Sequence, residues 1–127
     1  MKAPGGRYVV SVAGGVVTDT WTKREWQRAA VAGGKTWQQA KDHCAALDLE
    51  GKGWRLPWVR ELYGLVDKQQ SHPTIDKTAF PNMLETDFWS ASPNVGTSYA
   101  WHVSFYSGGV NTTSVSSTFE VRCVRGN

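Results

Sequence analysis

Gly53-Trp54-Arg55-Leu56-Pro57-Trp58, running into Val59-Arg60-Glu61-Leu62-Tyr63-Gly64-Leu65-Val66-Asp67, is extended chain that turns into a helix. Pro57 has no N–H to leave unpaired and a preset φ, so it suits a first helical turn. Val59, Leu62, Tyr63 and Val66 then recur at helical spacing and predict a helix that reaches Asp67. Trp58 offers no side-chain acceptor for the helix start, so this entry is unusual. Trp58 is expected either to pack beside Trp54 or to be exposed.

Immediately upstream, Thr36-Trp37-Gln38-Gln39 matches the capping box, in which Thr and Gln each satisfy a backbone donor that the helix leaves open. Trp37, Ala40, Cys44 and Leu47 share one face of the helix that follows, and Gly51 and Gly53 end it. Further upstream, Tyr8–Val12 and Val16–Thr18 are strand-like runs around Ala13-Gly14-Gly15 and predict a hairpin. Trp21 and Trp26 follow and are expected to close one end of the core.

Downstream, Ser71-His72-Pro73 and Phe80-Pro81-Asn82 break regular structure. Ile75 and Phe80 are expected to pin the long loop between them to the core. The last part of the chain reads as antiparallel strands. Phe88–Ser92 is the first. Tyr99–Tyr106 alternates, with Trp101, Val103 and Phe105 inward and His102, Ser104 and Tyr106 outward. Ser107-Gly108-Gly109 turns the chain into Val110–Val115, and Thr118–Arg125 is the last strand. Phe119, Val121 and Cys123 share its inward face. The fold class is therefore α+β, with two helices packed on a twisted antiparallel sheet. Residues 1–127 form one domain, with residues 1–6 expected to be disordered. No internal repeat interrupts it.

The chain has 127 residues, a net charge of +3, seven Trp, four Tyr and four Phe. A domain of this size buries a real core without many cross-links. The cations Lys23, Arg24, Arg28, Lys35, Lys41, Lys52, Arg55, Arg60, Arg122 and Arg125 form no run. The charge therefore reads as general solubility, with weak attraction to acidic polymers as the alternative. No nucleic-acid-binding motif occurs, and no apolar stretch is long enough to span a bilayer. Cys44 and Cys123 both face inward. They can meet if the helix packs on the sheet, closing a loop of roughly 80 residues worth about 4–5 kcal/mol in the chain-entropy model. Two buried free thiols in a reducing compartment are the alternative.

Catalytic signals are weak. His43, His72 and His102 include no pair at metal-ligand spacing. His43 and Cys44 are adjacent on a helix and point apart. No GxSxG elbow occurs. Asp76, Glu85 and Asp87 are candidates for a hard cation, but loop carboxylates that cap turns are the simpler reading. No metal, cofactor or catalytic residue is expected.

Several segments together resemble a known family. Gly53–Pro57 with Arg60-Glu61-Leu62, Pro73–Asp76, Ala79-Phe80-Pro81, Phe88–Ser92, Tyr99-Ala100-Trp101 and Val121–Arg125 occur in the order seen in the C-terminal domain of the bacterial collagen-like adhesin Lcl and its relatives. The resemblance runs from about Tyr8 to Arg125. It departs at Trp58, where the family usually has Thr. It implies a C-type-lectin-like fold, related to that of the formylglycine-generating enzyme, and a disulfide between Cys44 and Cys123, hence an extracellular or cell-surface location. It also implies a trimer that binds sulfated glycosaminoglycans, an extracellular glycan or protein partner, and no nucleic-acid or membrane-spanning role. The sugar-binding calcium motifs of true C-type lectins are absent. The copper-dependent oxidases of the related fold need reactive thiols, which a core disulfide would remove.

The Pro93–Thr118 region mixes Tyr, Ser, Asn, Thr and Gly as a paratope does. Asn94, Thr97, Ser98, Tyr99, His102, Ser104, Tyr106, Asn111 and Thr113 are the candidate ligand-binding residues. Lys and Glu, the usual residues of a solvated face, are scarce there. The expected function is a non-catalytic, adhesin-like extracellular module that recognises a glycan or a surface protein through this polar face. Two alternatives remain: a target-binding variable protein of a diversity-generating retroelement, and an enzyme of the formylglycine-generating-enzyme-like fold.

Overall fold

The computed structural model describes residues 6–71, 73–81 and 86–126. It is α+β, with two helices and two sheets. The predicted hairpin forms β1 (Tyr8–Val10) and β2 (Val16–Asp19), with Val10 opposite Val17. β3 (Arg24–Gln27) pairs with β2 and brings Trp26 opposite Val17. β4 (Val31–Lys35) leads into α1 (Trp37–Ala46), and Pro57-Trp58 leads into α2 (Val59–Tyr63). β5 (Asp87–Asn94), β6 (Tyr99–Ser104), β7 (Val110–Ser114), β8 (Phe119–Val121) and β9 (Val124–Gly126) complete the chain. The first sheet has the order β1-β2-β3-β9 and the second β4-β8-β5-β6-β7. The single antiparallel sheet expected from the sequence is thus two sheets, and β5 and β8 run parallel, with Phe88 opposite Glu120.

α1 begins as its residues dictate. Thr36 Oγ1 accepts the Gln39 N–H at 3.3 Å, and Gln39 Oε1 accepts the Thr36 N–H at 3.0 Å. Ala40 and Cys44 are buried, and Trp37 and Leu47 flank them. The Trp37 indole donates to the Ser90 carbonyl at 2.8 Å, which ties the helix to β5.

α2 is shorter than its periodicity predicts. Gly64, a poor helix former, follows Tyr63. Beyond it the Leu65 and Val66 N–H groups reach back only three residues, to the Leu62 and Tyr63 carbonyls. The chain tightens there and turns away, so the pattern at Val66 is turn, not helix. Trp58 does stand at the N-cap, with an exposed side chain that makes no capping bond. Two neighbours do the work instead. Glu61 Oε1 accepts the Trp58 N–H at 2.8 Å, and Ser92 Oγ on β5 accepts the Val59 N–H at 2.9 Å.

The predicted last strand divides at Arg122-Cys123. Val121, Arg122, Cys123 and Val124 are all buried, so alternation fails where the chain leaves one sheet for the other. Arg122 donates to the Gln27 and Arg28 carbonyls, and its guanidinium lies 4.7 Å from the Phe80 ring centre. At this junction Cys123 is bonded to Cys44, with Cα atoms 5.5 Å apart. The disulfide therefore joins α1 to the point where the two sheets meet.

The core has two parts. One gathers Tyr8, Trp26, Leu62, Phe80, Phe88 and Phe105; the other surrounds the disulfide with Ala40, Trp54, Trp89 and Val121. Ile75 and Phe80 are fully buried, as expected of residues that pin the long loop. Trp26 is buried, but Trp21 is exposed in the β2–β3 turn and does not close the core. Residues 1–5 lie outside the described residues. Gly6 is placed, and its carbonyl accepts Thr20 Oγ1 at 3.4 Å.

Candidate functional site

From Phe88 to Phe119 the chain contains no Asp, Glu, Lys or Arg. This uncharged stretch is β5, β6, β7 and their turns. In an antiparallel pair, residues opposite one another project from the same face. Asn94 is opposite Tyr99, Tyr99 opposite Ser114, and Trp101 opposite Thr112. These five share the face on which α2 packs further along, against Phe88 and Val103. Tyr99 is 48% exposed and Trp101 is half-buried.

The other face carries Ala100, His102, Asn111 and Thr113. The structure corrects the expectation for His102. Its side chain is buried, 4.6 Å from the Phe119 ring centre and 6.3 Å from that of Trp89. Burial holds its imidazole below the usual range, only partly offset by the Asp87 carboxylate 3.6 Å from Nδ1. Trp89 and Phe119 occupy the face that alternation assigned to solvent, because the second core lies there. His102 is therefore a packing residue. Asn111 remains exposed and Thr113 half-buried on β7.

The two turns are internally braced. In the β5–β6 turn, Thr97 Oγ1 donates to the Asn94 carbonyl at 2.7 Å and accepts the Tyr99 N–H at 3.1 Å. Gly96 takes φ +83°, a left-handed value that glycine adopts freely. In the β6–β7 turn, Ser104 Oγ accepts the Tyr106 and Ser107 N–H groups, each at 3.2 Å. Ser104 is thus a turn-former. Tyr106 is exposed on that turn, and Ser98 is exposed on the other. The nine predicted residues do not form one patch. Asn94, Thr97, Ser98 and Tyr99 gather at one end of the sheet, joined by Trp101 and by Thr112 and Ser114 of the same polar region.

β7 is one edge of its sheet, with β4 at the other, and carries no charge or Pro, the usual guards against strand addition. Beside β5, Trp58, Val59, Arg60 and Ser92 line a shallow cleft of about 290 Å³.

Among the described residues no group of His, Cys, Asp and Glu is arranged to hold a metal. Asp76 Oδ1 accepts the Thr78 and Ala79 N–H groups, each at 2.9 Å, as a turn cap does. Glu85 and His72 lie outside the described residues. His43 sits on α1, where burial and Lys35 hold its imidazole below the usual range. No described helix is long and apolar enough to cross a membrane.

The class these features define is a disulfide-tied α+β domain whose C-terminal strands form a polar sheet end. The model of the Lcl C-terminal domain matches residues 15–125, and the chain belongs to that family. No curated protein matches it.

Proposed function

We propose that this domain is a non-catalytic, extracellular adhesin-type module, C-type-lectin-like in fold, that holds a glycan or a surface protein on the β5–β7 surface. The observation that carries this reading is the uncharged run from Phe88 to Phe119. It forms three strands and two braced turns and presents Tyr99 beside Asn94, Ser98 and Thr112. Charged residues are depleted and Tyr enriched at binding surfaces, and rigid aromatics give contact area at low entropic cost. Family membership supports an adhesin-associated role. Both cysteines are bonded to each other, which supports a location outside the reducing cytoplasm and a role without thiol chemistry.

The same observation selects among partners. A sulfated glycan needs cations, and the chain from Phe88 to Phe119 supplies none, the nearest being Arg60 beside Ser92 and Lys68 beside Gly108. That composition favours a neutral ligand on the strands themselves, and the unguarded β7 edge suits an extended segment of a protein. Screening immobilised glycans and surface extracts with the wild-type domain and Tyr99→Ala tests the reading. Binding that Tyr99→Ala weakens and that added salt leaves unchanged is expected. Binding that collapses with salt and ignores Tyr99→Ala would place the ligand on the basic surface instead. Sedimentation of the same samples reads whether the module is a trimer.

A further inference from the structure

A cavity separate from the Tyr99 end of the sheet lies beside Trp21 and reaches Val66 and Lys68, which pack against Gly108 of the β6–β7 turn. Trp21 is 63% exposed, yet it is held in place from several sides. Arg7 donates from Nε and Nη2 to the two Asp19 carboxylate oxygens at 3.0 and 2.7 Å, and from Nη2 to the Gly64 carbonyl at 3.1 Å. Asp19 Oδ1 also accepts the Trp21 N–H at 3.0 Å. The Arg7 guanidinium carbon lies 4.7 Å from the Trp21 ring centre and 4.8 Å from that of Tyr8. An exposed indole is thus fixed as a platform instead of being left to rotate.

Beside it is a cavity of about 250 Å³, lined by Arg7, Tyr8, Trp21, Asp67, Lys68, Asp76 and their neighbours. That is below the usual size of a drug-sized pocket, so it suits a small unit. Tyr8 is only 7% exposed, its ring packed edge-on against Phe80 at 5.3 Å, and it lines the cavity. Asp76, equally buried, commits Oδ1 to two backbone donors and leaves Oδ2 open among the described residues.

The chemistry of the wall narrows the ligand. Two carboxylates, Asp67 and Asp76, disfavour an anion. A simple cation is disfavoured too, because Arg7 already stacks on both rings and Lys68 adds a further positive charge. What remains is a neutral molecule with an apolar face for the indole and several hydroxyls for a mixed set of donors and acceptors. We propose that the Arg7–Tyr8–Trp21–Asp67–Asp76 cavity binds one neutral sugar ring, stacked on Trp21 with its hydroxyls on Asp67, Asp76 and Tyr8. Arg7 and Tyr8 precede the span matched by the family model, and Trp21, Asp67 and Asp76 lie within it.

The test is a titration of the ¹⁵N-labelled full chain, followed by NMR, with glucose, galactose, mannose and N-acetylglucosamine, each against choline and sodium sulfate. At least one sugar is expected to shift the Trp21 indole N–H and the Asp67–Gln69 amides saturably, with choline and sulfate inert. Trp21→Ala, at an exposed position that leaves the core intact, should weaken binding by about tenfold or more. Asp67→Asn, which keeps the side chain's shape, should weaken it as well. Inertness of all four sugars, equal shifts with choline or sulfate, or shifts that survive Trp21→Ala would each overturn the proposal. Shifts confined to Tyr99 and Trp101 would also overturn it while supporting the β5–β7 reading, so the two sites fail independently.

Discussion

Glu61 on α2 receives both terminal nitrogens of Arg55, with Nη1 to Oε1 at 2.8 Å and Nη2 to Oε2 at 2.9 Å. Arg24 Nε on β3 lies 3.0 Å from Oε2, and the Trp58 N–H reaches Oε1. One buried carboxylate thus ties the helix entry to the Arg55 segment and to the first sheet. Burial pushes the Glu61 carboxyl up, but Arg55, the Trp58 N–H and Arg24 outweigh it and hold it below the usual range. Glu61→Gln should cost about 2–3 kcal/mol, less than a fully buried pair because both guanidinium groups keep contact with water. A depressed carboxyl stabilises the fold above its unfolded value, near 4.3, and that contribution is lost as pH falls below it. Urea unfolding should therefore show the gap between wild type and Glu61→Gln closing in acid.

His102 predicts a second pH effect, nearer neutrality. Its imidazole is held down by burial, so the unfolded chain binds the proton more readily than the fold does. The sign follows: stability is highest above the ordinary imidazole value of about 6.5 and falls as pH drops through it. His43 acts in the same direction. In melting experiments across this range, His102→Gln should flatten the slope in part, and His43→Gln/His102→Gln should flatten it further. An unchanged slope in the double variant would contradict the buried placement of His102.

The Cys44–Cys123 bond spans a sequence separation of 79 residues. Its loss should cost roughly 4–5 kcal/mol by the chain-entropy argument. Denaturant midpoints for Cys44→Ala/Cys123→Ala, and for wild type with and without reductant, measure this. Alkylation of unfolded, unreduced protein followed by intact mass should find no free thiol.

Trp58 occupies an N-cap without supplying an acceptor. Trp58→Thr would add a hydroxyl oxygen at a position whose backbone is already extended, at φ −64° and ψ 156°. A gain of up to about 1 kcal/mol is expected in thermal or urea unfolding. A loss instead would mean that the half-exposed indole contributes more by packing than the cap returns.

Much of the fold was legible in local chemistry. Thr36 and Gln39 announce α1 because a capping box involves only residues three apart. Tyr8–Val12 and Val16–Thr18 announce a hairpin because the turn between them is short, and the strands form at Tyr8–Val10 and Val16–Asp19. The family itself was legible from the order of its segments, and the model match over residues 15–125 shows it. The inward facing of Cys44 and Cys123 followed from period alone, although only the resemblance chose the disulfide over two free thiols.

Other features depend on contacts between distant parts of the chain. Alternation assumes one solvent face, and His102 is buried because a second core, built around Trp89 and Phe119, covers the face it occupies. Period two also fails from Val121 to Val124, since the chain changes sheets there and both sides are packed. The candidate surface changed for the same reason: strand register, set by pairing across the sheet, puts Asn94, Tyr99 and Ser114 on one face and Asn111 and Thr113 on the other. The Trp21 cavity was invisible in sequence because Arg7, Trp21, Asp67 and Asp76 come from four separate segments. Local sequence determined which elements form and which residues start and stop them. Tertiary structure decided which faces remain open to a ligand, because exposure is a property of what packs opposite and not of the residue itself.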